Sequence, residues 1–136
     1  MKENNVMKKE IEVVGALIFE KDKFLICQRP KNKSQALLWE FVGGKVEIGE
    51  TKQDALIREC KEELDVDISV GKQFCSLSYE YPESLVHLTV FLAKILGNAP
   101  KKIEHNDIKW ITSSEIELYD FCPADTPILK LIKENY

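Results

Sequence analysis

At 136 residues, with 44% of them hydrophobic, the chain has the size of one compact domain and enough apolar surface for a core without metal or disulfide staples. Its 23 acidic side chains outnumber 19 basic ones, and the formal net charge of -4 disfavours a sequence-independent grip on a nucleic-acid polymer. Cys27, Cys60, Cys75 and Cys122 form no CxxC pair and stand beside apolar residues, so they read as reduced thiols, and His87 and His105 are too far from any cysteine pair to complete a zinc site. The charged opening MKENNVMKKE precedes no apolar run of secretory length, and nothing approaches the roughly 18–20 apolar residues of a membrane span. The expectation is a cytoplasmic protein with no membrane partner, its residues 1–10 forming a flexible extension.

Ile11 to Phe19 and Phe24 to Cys27 are β-branched and aromatic runs split by the charged turn Glu20-Lys21-Asp22-Lys23, which predicts a hairpin. Pro30 to Gln35 is polar and breaks the pattern. Trp39 to Val42 reads as a short strand ending at Gly43-Gly44, where a chain reversal or a close backbone approach is cheap. From Thr51 the period becomes helical through Ala55, Leu56, Cys60 and Leu64, and Thr51 offers an N-cap oxygen. Strand character returns in Val66 to Val70, Phe74 to Tyr81, Leu85 to Leu96 and Asp107 to Ile111, with a turn at Pro82-Glu83-Ser84. Ala124 to Glu134 carries apolar residues at three- and four-residue spacing, with Pro127 suited to a first helical turn. Strands this short cannot all be joined by helices, so the fold class is α+β, a mixed β-sheet sandwiched between α-helices.

The chemistry concentrates in the first helix. At about 100° per residue, Glu62 and Glu63 fall on either side of Glu59, so three carboxylates share one face. Like charges at this spacing repel, and the face therefore needs solvent or a cation; oxygen ligands of this kind suit Mg²⁺ and Mn²⁺. An acidic helix face alone is most often just a solvated surface. Here it follows a Gly-Gly pair, Gly49 and a further acid, Glu50.

In that context the chain resembles the Nudix hydrolases, whose signature runs Gly, five residues, Glu, seven residues, then Arg-Glu, an aliphatic, any residue, Glu-Glu, any residue, Gly and an aliphatic. Gly44, Glu50, Arg58, Glu59, Glu62, Glu63 and Val66 stand at the matching positions with no gap. Cys60 replaces an aliphatic, and Asp65 replaces the closing glycine, a residue that tolerates the left-handed conformation better than most. Trp39-Glu40-Phe41-Val42-Gly43-Gly44-Lys45 is similar to a strand of the MutT branch in which proline stands at the Val42 position, and Phe121 to Pro127 is similar to that branch's base-contacting loop.

The resemblance implies a single Nudix domain over residues 1–136, a monomer or homodimer, acting with Mg²⁺, or Mn²⁺, on a small nucleoside triphosphate. It implies Glu59, Glu62 and Glu63 as metal ligands, joined by the Gly43 carbonyl and by Glu104, which lies six residues before Trp110. Glu59, Glu50 and Glu104 are candidates for the general base, with Glu59 ranked first, and Arg58 orients Glu59 or its neighbours. Arg29, Glu40, Phe41, Val42, Lys45, Tyr81, Phe121 and Asp125 are candidate substrate contacts. An aromatic on a strand is more often core than ligand contact, and a surface role for Lys45 stays equally open. The implied activity is hydrolysis to a monophosphate and pyrophosphate, sanitising oxidised nucleotides such as 8-oxo-dGTP. A CTP or modified-dCTP pyrophosphohydrolase is the alternative enzyme, and a non-catalytic nucleotide-binding regulatory module is the alternative from another class. Asp125 bears on that choice, because an ionised aspartate accepts from the cytosine amine but repels O6 of 8-oxoguanine, whereas a protonated one can donate.

Overall fold

A computed structural model describes residues 8–136. Strand β1 (Lys9–Glu20) runs through the centre of the fold. It lies parallel to β6 (Ser84–Leu96) from Lys9 opposite Ser84 to Ile18 opposite Ala93, antiparallel to β4 (Gly43–Lys45), and turns back at Phe19 into β2 (Lys23–Gln28). β2 in turn carries β3 (Trp39–Glu40) and β7 (Asp107–Ile111), and β6 carries β5 (Asp67–Glu80). The result is a seven-stranded mixed sheet with helix α1 (Lys52–Leu64) and helix α2 (Thr126–Asn135). The α+β sandwich expected from the sequence is the fold observed.

Alternation on the strands explains why two helices are needed. Val14, Ala16 and Ile18 of β1 face the same way as Leu25 and Phe91, and they bury Ala55, Leu56, Cys60 and Leu64 of α1. Leu17, Phe24, Ile26 and Val90 face the other way and bury Ile128, Leu129 and Ile132 of α2. Both faces of the sheet are apolar, so each must be covered; a fully buried leucine such as Leu56 contributes about 2 kcal/mol to that end. The N-terminus of α1 is fixed by Thr51 Oγ1, which accepts from the Asp54 N–H at 3.0 Å. Its C-terminus closes on Asp65 in the left-handed conformation (φ 49°, ψ 46°), where the Asp65 N–H donates to the Lys61 carbonyl. Lys101 and Lys61 pair with the Asp65 carboxylate and hold it below the usual carboxylate range.

Several sequence expectations need correction. Lys9 and Glu10 already pair with β6, so the extension expected over residues 1–10 does not reach them, and the rest of that expectation falls on residues 1–7, outside the described residues. The strand expected at Trp39 to Val42 stops at Glu40, and of the two readings of Gly43-Gly44 it is the close backbone approach, not the reversal, that holds; the chain leaves β2 and joins β1, with the Val42 carbonyl accepting from the Ala16 N–H at 2.9 Å. The strands expected at Val66 to Val70 and Phe74 to Tyr81 are one strand, because register shifts between Val70 and Cys75 absorb the polar break while β6 continues alongside. A short 3-10 helix at Ser113–Leu118 had no apolar period to announce it.

Gly43 is a steric requirement. A Cβ there would lie 2.0 Å from the Val14 carbonyl oxygen and 2.9 Å from the Gly15 Cα. Because the obstacle is backbone in the central strand, Gly43→Ala is expected to cost more than about 3 kcal/mol, read as a lower urea midpoint with an unchanged slope.

Candidate active site

The acids of α1 face a cleft of about 490 Å³ whose floor is β1 and β4. Glu59 and Glu63 are largely buried, each with 15% of its side chain exposed, and Glu62 is half exposed at the mouth. Glycine at position 44 permits this approach. A Cβ on Gly44 would stand 2.4 Å from the Glu59 carboxyl carbon, so helix and strand meet only where the strand has no side chain.

Arg58 holds the acids in place. Its Nε and Nη2 donate to both oxygens of Glu50, at 2.7 and 2.9 Å, in a bidentate pair. Nη1 donates to Glu59 Oε2 at 2.9 Å and to Glu62 Oε1 at 3.4 Å, and Nη2 also donates to the Lys45 carbonyl at 3.0 Å. The hydrogen bonds from Arg58, helped by the Glu47 N–H at 2.9 Å, bring the Glu50 carboxyl down to about 2. Arg58 thus bonds both Glu59 and Glu50, and Glu50 is a partner of Arg58 that does not line the cleft. Glu63 behaves oppositely. Burial first, then a hydrogen bond with Glu59 and the nearby charges of Glu59, Glu104 and Glu40, push its carboxyl up to about 9. Such a shift marks a desolvated acid that gains from a positive charge beside it.

Glu104 lines the mouth, 3.9 Å from the Lys33 ammonium, and the Gly43 backbone lies on the floor. The donor set is thus carboxylate and carbonyl oxygen, which suits a hard divalent cation. Among the described residues no three acidic, histidine or cysteine side chains converge to coordination distance.

The other end of the cleft is assembled from β3 and the turn before α2. The Trp39 N–H donates to the Asp120 carbonyl at 2.8 Å and the Cys122 N–H to the Trp39 carbonyl at 2.9 Å, which ties that turn to the strand. Asp125 is brought in buried, its Oδ2 without a hydrogen-bond partner among the described residues, and burial, reinforced by Glu40, pushes its carboxyl up to about 7. Arg29 lies between the two ends: Nη1 donates to Glu40 Oε1 at 3.0 Å and Nε to the Ser34 carbonyl at 2.7 Å. Phe41 and Tyr81 line the cleft. Phe121 packs behind Phe41 with ring centroids 6.2 Å apart, Val42 is buried beneath the floor among core residues, and Lys45 is exposed beyond the rim; none of these three lines the cleft.

Lys33 and His105 line the cleft and were not singled out as site residues by the sequence. Lys33 sits in a polar loop with no motif. His105 was weighed only as a zinc ligand, although its position beside Glu104 was a usable signal.

A family model for the NUDIX domain matches residues 13–131. The chain belongs to the NUDIX domain family. It is 38% identical over 122 residues to the CTP pyrophosphohydrolase of Escherichia coli, covering 90% of each chain. It is 31% identical over 127 residues to the 8-oxo-dGTP diphosphatase of the same organism, covering 93% of this chain and 98% of that one. Among solved structures, the MutT protein of methicillin-resistant Staphylococcus aureus superposes with a TM-score of 0.77 at 41% identity, over 96% of this chain and all of that one. This NUDIX domain is MutT-like, in a family of hydrolases that act on acid anhydrides and generally use divalent metal ions. Among the described residues no helix is long and apolar enough to cross a membrane.

Gly44→Ala tests the helix–strand approach. The obstacle is a side-chain end that can swing away, so stability is expected to fall by less than about 1.5 kcal/mol while turnover drops at least about tenfold, because Glu59 is displaced. Thermal melting and steady-state kinetics on the same preparation check both halves.

Proposed function

We propose that this chain hydrolyses nucleoside triphosphates to the monophosphate and pyrophosphate with Mg²⁺, which Mn²⁺ can replace, and so removes unwanted nucleotides from the precursor pool. The observation that carries the reading is the acid face of Glu59, Glu62 and Glu63 lying against the glycine strand on the wall of a cleft of nucleotide size. A regulatory module that only binds would not need a desolvated Glu63 beside two further acids.

Glu59, Glu62 and Glu63, with Glu104 and the Gly43 carbonyl, would hold the divalent ion. When bound it neutralises phosphate charge and polarises the phosphoryl oxygens. Glu59 is the general base of this reading: Arg58 occupies Oε2 and fixes the carboxylate, leaving Oε1 to take the proton from the attacking water. Glu50 is held by Arg58 through both oxygens and serves to orient it. Arg29 and Lys33 are the cationic side chains on the cleft wall and meet the phosphates. Phe41 and Tyr81 flank the base, and Glu40 and Asp125 accept from its amine or ring N–H groups. Glu62→Gln or Glu63→Gln should keep the fold, hold or slightly raise metal-free stability, and lower kcat at least about a hundredfold at saturating Mg²⁺. Turnover near that of the wild type in either variant would overturn the assignment of the acid face.

The base end favours two substrates at different pH. With its carboxyl near 7, Asp125 passes from donor to pure acceptor across neutrality. CTP, which offers an amine, should gain on 8-oxo-dGTP as pH rises, because ionised Asp125 repels O6. The ratio of kcat/KM values is expected to move across about pH 6 to 8 in the wild type and to stay flat in Asp125→Asn. The same shift acts on stability. A carboxyl raised from its ordinary 3.8 to about 7 binds more protons folded than unfolded in that window. Stability is therefore lost as pH rises through it. The margin of Asp125→Asn over wild type should widen between those pH values, as followed by urea denaturation.

A further inference from the structure

His105 is buried, with 4% of its side chain exposed, where the acid face of α1 meets β3. Its Nε2 lies 3.3 Å from Glu63 Oε1 and 3.7 Å from Glu40 Oε2. Both are electrostatic contacts, the first within hydrogen-bond reach in distance but not aligned as a hydrogen bond. The His105 Nδ1 is buried without a hydrogen-bond partner among the described residues, and it is the backbone next to the ring that is tied down. The Asn106 N–H donates to the Gln28 carbonyl at 2.9 Å and its Nδ2 to Gln28 Oε1 at 2.7 Å, while Gln28 Nε2 donates to the Leu37 carbonyl at 3.0 Å. The loop before β7 is thereby tied to the end of β2, which fixes where the His105 backbone stands relative to the acids.

Glu63 and Glu40 serve different ends of the cleft. Glu63 belongs to the metal-binding wall, whereas Glu40 stands beside Arg29 and Asp125 at the base end. Glu63 binds a cation as a carboxylate; ionised, it only accepts, and it repels Glu40 in a buried place unless a donor stands between them. We propose that His105 is a positioning residue: its Nε2 stands between the Glu63 and Glu40 carboxylates and fixes their separation, so that the metal-binding wall and the base-binding end are set as one unit. The inference rests on the pyrophosphohydrolase reading. It assigns His105 no contact with the reacting atoms.

Three substitutions separate positioning from mere packing. His105→Phe keeps the ring volume and removes the donor, His105→Gln returns an N–H near the Nε2 position, and His105→Asn places one nearer Nδ1. The first readout is Mn²⁺ binding to the nucleotide-free protein by calorimetry. Loss of an outer partner of a metal ligand costs roughly ten- to a hundredfold in affinity, which is expected for Phe and Asn, while Gln stays within about threefold of wild type. The second readout is the ratio of kcat/KM for CTP over 8-oxo-dGTP, expected to move by at least about threefold in Phe and Asn and to return in Gln, because only a freed Glu40 changes the base end. Wild-type Mn²⁺ affinity in the Phe variant, or equal behaviour of Gln and Asn, would overturn the proposal. Should the Phe variant fail to fold, the comparison of Gln with Asn decides alone. A wild type that hydrolyses no nucleoside triphosphate would sink the functional reading, while the Mn²⁺ measurement would still report on His105.

Discussion

Everything at this site follows from the mutual repulsion of carboxylates gathered in a place with little water. Glu59 and Glu63 are 15% exposed, Glu62 shares their helix face, and Glu40 and Glu104 approach from other elements. In bulk solvent such acids would spread apart at a cost of tenths of a kcal/mol per pair, but inside a cleft the lower dielectric makes the repulsion larger. The fold counters it with donors at fixed points. Arg58 takes one oxygen of Glu59 and both of Glu50, and His105 stands between Glu63 and Glu40. What these donors leave uncompensated is seen in Glu63, whose carboxyl is pushed up to about 9, chiefly by burial. The site is therefore under tension that an incoming cation relieves, and Gly44 in β4 makes the tension possible by letting the helix come so close.

How much of this was legible in the sequence depends on whether the interactions are local. Helix α1, its cap at Thr51 and its left-handed exit at Asp65 lie within a few residues of one another, so periodicity and residue chemistry were enough. The role of Arg58 could be guessed for the same reason, since Glu59 and Glu62 are its neighbours on the helix. The path of Gly43-Gly44 could not. Whether a glycine pair turns or passes straight on depends on the strand beside it, and β1 lies about thirty residues earlier in the chain. β5 was split for a similar reason, because the residues that keep it in the sheet across its bulge belong to β6. His105 is the strongest case. Glu63, Glu40 and Gln28 come from α1, β3 and β2, and no local window contains any of them.

The contrast between the two ends of the cleft carries the functional argument furthest. Six carboxylates line it, Glu40, Glu59, Glu62, Glu63, Glu104 and Asp125, against the two cationic side chains Arg29 and Lys33. Arg29 is already engaged by Glu40 and Lys33 is drawn toward Glu104, so little positive charge is free for a ligand. A triphosphate approaching such a surface meets a repulsive field, and side chains alone would reject it. The polarity turns favourable only if the acids and the phosphates share positive charge between them, and oxygen donors on both sides are the pairing that hard divalent ions prefer. An acidic cleft for an acidic substrate is thus consistent chemistry: under the proposed function, selectivity would be for a ligand that brings cations with it, and discrimination among bases would be left to Glu40 and Asp125 at the far end, where no such ions are needed.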